Sequence, residues 1–149
     1  MAINSESELS FKYIKVHKDA IAPSKNHPLD TGFDLHLIKK IKEYNNVSYF
    51  DTGIAVRPPN GYYFDLVGRS SIAKTGWMLA NNIGIIDFNY TGTVIVALIK
   101  IDPNANELEL PCKLVQLIPR NLILMNSIES DYIEDTDRAD SGGLGSKTI

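Results

Sequence analysis

The hydrophobic positions of this chain fall into short runs rich in β-branched and aromatic residues, separated by polar turn clusters. Six runs predict strands: 11–17 (FKYIKVH), 47–56 (VSYFDTGIAV), 62–67 (YYFDLV), 93–101 (TVIVALIKI), 113–119 (KLVQLIP) and 122–128 (LILMNSI). Between them, Arg57-Pro58-Pro59-Asn60-Gly61, Asn81-Asn82 and Asp102-Pro103-Asn104-Ala105-Asn106 supply the dihedrals of tight turns. Only the interval 70–79 has room for a helical turn or two, and Gly76 cuts it short. The charged stretch 39–46 (KKIKEYNN) reads as a solvated loop or an exposed strand face, and six consecutive apolar residues at 94–99 suit a strand buried on both faces. Many strands with regular turns predict an all-β barrel or sandwich.

Composition narrows the partners. With 149 residues, 44% of them apolar, one domain with its own core is expected. Eighteen acidic against fifteen basic residues give a net charge of −3, so no general polyanion-binding surface and no nucleic-acid partner are expected, and any phosphate binding must be local. The single Cys112 has no partner for an internal disulfide and reads as a small, partly buried hydrophobe. The first ten residues lack a basic-then-apolar pattern, and no apolar run approaches the roughly 20 residues that span a bilayer. The expectation is a soluble intracellular protein of the cytoplasm or nucleus, without membrane contact. From Glu129 to Asp140 run six acidic residues and one Arg, followed by Gly142, Gly143 and Gly145. The domain is accordingly drawn at 1–132, with 133–149 as a flexible glycine-rich tail.

Two stretches carry candidate chemistry. Gly68-Arg69-Ser70-Ser71-Ile72-Ala73-Lys74-Thr75 is one substitution from the P-loop pattern. A P-loop needs a parallel strand before it and a proper helix after it, whereas the flanking strands here read as antiparallel and Ala73 replaces the second glycine. Lys74 is then a solvated charge and the loop, taken alone, a polar turn. Residues 84–92 (GIIDFNYTG) read as a β-hairpin, with Asp87 and Asn89 in the turn and Gly92 relieving the exit.

Together with 30–37 (DTGFDLHL), 113–118 (KLVQLI) and 138–146 (RADSGGLGS), these stretches resemble, in order and spacing, the five motifs of the trimeric dUTPases. The resemblance implies a jelly-roll-like barrel assembled as a homotrimer, with active sites between subunits. It implies Mg²⁺-dependent hydrolysis of dUTP to dUMP and pyrophosphate, which limits uracil incorporation into DNA and supplies dUMP for thymidylate synthesis. By the same resemblance Asp87 is the base that activates water, Tyr90 packs on the deoxyribose, and the segment from Asn81 through Gly84 and Ile86 to Tyr90 reads the uracil. Arg69, Ser70, Ser71 and Gln116 face the phosphates, and Asp34 meets Mg²⁺ through water. Arg138 reaches the γ-phosphate from a mobile tail in which Gly143, Leu144, Gly145 and Ser146 close over the nucleotide. Lys113 stands where the family commonly has Arg, and Leu144 where it commonly has an aromatic. Alternatives on the same fold are a dCTP deaminase-like enzyme, a nucleotide-binding regulator with weak turnover, and a jelly roll without a ligand.

Overall fold

The structure, a computed structural model, describes residues 9–137. Within them nine strands follow in order: β1 Lys12–Lys15, β2 Phe33–Leu37, β3 Lys39–Tyr44, β4 Val47–Arg57, β5 Tyr62–Gly68, β6 Trp77–Leu79, β7 Gly84–Ile86, β8 Thr93–Lys100 and β9 Cys112–Asn121. A 3-10 helix, Ser70–Lys74, lies between β5 and β6. β4 takes β1, β3 and β8 as neighbours, and β6 adds to β8, giving a five-stranded sheet; the other sheet runs β2-β9-β5-β7. Each strand pairing is antiparallel, which removes the parallel-sheet context of a P-loop. Lys74 is exposed.

The alternation within strands sets which face each sheet turns inward. Leu35, Leu37, Phe64, Leu66, Val115 and Leu117 of one sheet pack on Phe50, Ile54, Val94, Val96 and Leu98 of the other in one buried cluster. Trp77 packs edge-on to Phe50 and donates its indole N–H to the Asn106 carbonyl at 2.9 Å, so its polar atom is satisfied inside the core. A one-residue slip of β8 would exchange Val94, Val96 and Leu98 for Ile95, Ala97 and Ile99 in the core, a change of shape and volume that the packed cluster resists. That resistance fixes the register that positions the site.

Several expectations are corrected. Within the single chain the strand at 94–99 is buried on one face: Val94, Val96 and Leu98 enter the core, while Ile95, Ala97 and Ile99 remain partly exposed, as the period of two demands. Residues 122–128 form no strand; the Leu122 amide donates to the Gly61 carbonyl, after which Ile123, Leu124, Met125 and Ile128 are exposed. The hairpin at 84–92 is instead a corner, because β7 pairs with β5 in one sheet and β8 with β4 and β6 in the other. The charged stretch 39–46 takes the strand option, with Lys39–Tyr44 exposed throughout and Asn45-Asn46 at positive φ making the turn into β4.

Candidate active site

The first group of candidate residues converges on the outward face of the four-stranded sheet, where β2, β9 and β5 lie side by side. Asp34 stands opposite Gln116, and Gln116 opposite Val67, so residues far apart in sequence share one row. Asp34 Oδ1 accepts from Arg69 Nε at 3.0 Å, and Lys113 Nζ lies 3.8 Å from Oδ2. Arg69 Nη1 donates to the Lys113 carbonyl at 2.9 Å and contacts the Ser71 hydroxyl at 3.4 Å. Gln116 Nε2 donates to the Gly68 carbonyl at 3.2 Å. Its Oε1 occupies the space that a Cβ on residue 32 would fill, which is why Gly32 stands there.

Two cations around one carboxylate leave this cluster net positive, and the Asp34 side chain is only 10% exposed, so the field is weakly screened. Arg69 is oriented by two bonds on one side of its fork, and Nη2 makes no hydrogen bond among the described residues. That nitrogen can donate to an anion. Beside it sits His36, whose Nδ1 is buried without a hydrogen-bond partner among the described residues. Burial, and then the Lys113 charge with a smaller contribution from Arg69, lowers the imidazole pKa, against an opposing pull from Asp34. The ring is neutral at physiological pH.

A magnesium ion finds no protein cage here: among the described residues no three His, Cys, Asp or Glu side chains converge. Asp34 fits an outer contact only. Its Oδ2 is 3.8 Å from Lys113 Nζ, too long for a hydrogen bond, and so keeps acceptor capacity for water.

The second group occupies the corner between β7 and β8. The Tyr90 amide donates to the Asp87 carbonyl at 3.0 Å, closing a turn over 87–90. The Tyr90 hydroxyl donates to the Thr93 carbonyl at 2.8 Å, and a Cβ on Gly92 would lie 2.5 Å from that oxygen. Asp87 and Asn81 are exposed, whereas Gly84 and Ile86 are buried where β7 packs against β5. β7 is an edge strand, so the backbone groups on its free side face no further strand of its sheet.

Within one chain these groups are apart. Ile86 pairs with Phe64, while Gly68 lies four residues along β5. At about 3.4 Å per residue this separates them by roughly 14 Å, with Asp87 and Arg69 leaving from opposite ends. Asp34, Arg69, Ser71 and Gln116 are thus brought together with Ser70 next to them in the loop; Asn81, Gly84, Ile86, Asp87 and Tyr90 form the other set. Arg138, Gly143, Leu144, Gly145 and Ser146 lie outside the described residues. Sequence reasoning missed His36 as a neighbour of this cluster and Lys113 as a second cation on Asp34; the alternation Phe33-Asp34-Leu35-His36-Leu37, polar on one face, is the signal that places His36 beside Asp34.

The dUTPase family model matches residues 18–147. A deoxyuridine 5'-triphosphate nucleotidohydrolase of Picosynechococcus sp. is 29% identical over 140 residues, covering 93% of this chain and 98% of the relative. The fold is shared with a mutant dUTPase of Staphylococcus bacteriophage 80alpha solved with dUpNHpp, at a TM-score of 0.75 and 19% identity over 94% of this chain and 99% of that one. It is shared too with a mutant dUTPase from phage phi11 of S. aureus, whose structure concerns the coordination of a structural Mg(II) ion, at a TM-score of 0.70 and 18% identity over 85% of this chain and 99% of that one. A family match across most of the chain, including the strands that carry both groups of side chains, settles the kinship: this chain belongs to the dUTPase family.

Proposed function

We propose that the protein hydrolyses dUTP to dUMP and pyrophosphate, with Mg²⁺, in sites completed between the subunits of a homotrimer. The observation that carries this reading is the division of the family's residues into a net-positive cluster around Arg69 and an exposed corner around Asp87, a strand's length apart. A cluster from one copy facing a corner from the next supplies in one place what neither chain holds alone.

The Asp87 carboxylate takes a proton from water as the water oxygen bonds to the α-phosphorus and the bond to the β-phosphate oxygen breaks. Tyr90, held by its bond to Thr93, presents its ring to the sugar and leaves no room for a 2′-hydroxyl. The free edge of β7 offers backbone donors and acceptors to the uracil rim, and an unpaired buried group is what cytosine would leave there. Arg69, Ser70, Ser71 and Gln116 bind the phosphates and stabilise charge building on the departing pyrophosphate. Asp34 is the residue that would hold Mg²⁺, through water, and the ion would supply charge neutralisation to the triphosphate. The tail at 133–149 closes the site, with Arg138 on the γ-phosphate, Gly143, Gly145 and Ser146 along the phosphate chain, and Leu144 as an apolar lid.

Pyrophosphate release measured with Mg²⁺ on dUTP, dTTP, dCTP and UTP tests the assignment. Strong preference for dUTP is expected; ammonia release from dCTP, or binding of a non-hydrolysable dUTP analogue without turnover of dUTP, would replace it with the deaminase or regulator reading.

A further inference from the structure

Arg57, the last residue of β4, reaches the Asp87 corner from the five-stranded sheet. Its Nη1 donates to the Phe88 carbonyl at 3.2 Å, and its guanidinium carbon lies 5.4 Å from the centroid of the Phe88 ring. Arg57 also lines one cleft with Tyr90 and Thr91. The carbonyl it holds belongs to the central peptide of the 87–90 turn.

That peptide is the one that distinguishes the two common turn types. Type I and type II turns differ by a flip of the central peptide, and type II needs positive φ at the third residue, here Asn89. Asparagine tolerates that conformation, and in this chain Asn45, Asn46 and Asn82 adopt it, whereas Asn89 does not. The side chain at 89 is therefore no barrier to a flip. Flipping would swing the Phe88 carbonyl away from the guanidinium and redirect the residues on either side.

We propose that Arg57 is a positioning residue for the reaction: by clasping the Phe88–Asn89 peptide it fixes the aim of Asp87 and Tyr90, and with it both turnover and discrimination against a 2′-hydroxyl. This rests on the reading of the corner as base and sugar platform given above. Arg57 acts through the turn rather than on the reacting atoms. Its loss lowers kcat and narrows the preference for dUTP over UTP while leaving phosphate binding, and so KM, in place.

The test is pyrophosphate release from dUTP and UTP by the wild type, Arg57→Ala, Arg57→Lys and Asp87→Asn, with thermal midpoints for each. In folded Arg57→Ala, kcat on dUTP falls about tenfold, KM stays within about twofold, and the dUTP-to-UTP ratio of kcat/KM narrows about fivefold. Arg57→Lys, which returns a donor and a cation to the Phe88 ring, recovers part of the loss. Phe88→Leu keeps the carbonyl but removes the ring; it loses about threefold in kcat and serves in place of Arg57→Ala should that variant not fold. Unchanged kcat and ratio, or a loss confined to KM, would overturn the proposal. If Asp87→Asn abolishes turnover while Arg57→Ala is neutral, the clasp alone falls; if Asp87→Asn turns over normally, the reading of the corner falls and the clasp with it.

Discussion

The Arg69 cluster and the Asp87 corner are built on opposite plans. In the cluster, side chains from three adjacent strands hold one another: Asp34 and the Lys113 carbonyl pin Arg69, and the Gly68 carbonyl holds Gln116. At the corner, backbone and near-neighbour bonds, with the Arg57 clasp from β4, hold a turn whose Asp87 stands in solvent. A cluster pre-ordered by strand register suits a fixed charge such as a phosphate chain, because it needs no reorganisation when the charge arrives. A turn suits a group that must be aimed at one water and one sugar, and it depends on every bond that sets the turn's geometry. Damage to the two should therefore read out differently, the corner in turnover and selectivity, the cluster in stability and binding.

The largest expected effect is at the corner. Asp87→Asn should lower kcat about 10²- to 10⁴-fold, the range of a positioned base, with a thermal midpoint near the wild type because the side chain is exposed. A large fall in midpoint would make Asp87 a structural residue and erase the contrast. At the cluster, Asp34→Ala leaves Arg69 and Lys113 facing each other without their shared carboxylate. Denaturant unfolding should show about 3 kcal/mol of lost stability, together with a raised KM for dUTP. Unchanged unfolding would mean that the ion pairs do not hold the loop.

Smaller changes sharpen the same division. Gly92→Ala puts a Cβ 2.5 Å from the Tyr90 hydroxyl and must displace the ring or its bond to Thr93. Competition between dUTP and UTP should show discrimination reduced about tenfold, on the order of the 1–3 kcal/mol that a misfitted pocket loses, with the phosphate-binding half untouched. The smallest effect belongs to His36. Its folded pKa lies below the ordinary 6.5, so the unfolded chain binds the proton more readily. Stability from this group is thus full above pH 6.5 and is lost as pH falls through that value toward the folded pKa. Urea unfolding followed between pH 7 and 5 should slope downward for the wild type and less so for His36→Asn; equal slopes would remove His36 from the pH dependence.

How much of this was legible in the sequence depends on whether a feature is local. The strands β4, β5, β8 and β9 announced themselves because their apolar periodicity runs for seven residues or more. β6 and β7 are three residues each, too short to show any period, and they exist because neighbouring strands offer them edges. Residues 122–128 failed in the other direction: they have the composition of a strand, but pairing is not a property of composition, and Ile123 and Leu124 lie exposed. At the site, Asp87 and Tyr90 are close in sequence and were named together. The ion pair of Asp34 with Arg69 joins residues 35 positions apart, and only the β2-β9-β5 order makes them neighbours. The Arg57 clasp on Phe88 had no local signal at all, since it depends on where β4 ends relative to the corner.

The central claim, that a working site takes its corner from one copy and its cluster from another, is tested most directly by complementation. Asp87→Asn and Arg69→Gln, each inactive alone, are co-expressed in equal amounts and the mixed assemblies assayed for pyrophosphate release from dUTP. Random assortment gives each site an intact corner from one subunit and an intact cluster from the next in about a quarter of cases, so activity should return to about a quarter of the wild type. No recovery in assemblies verified to contain both variants would contradict the account, because it would place both groups of one working site within a single chain.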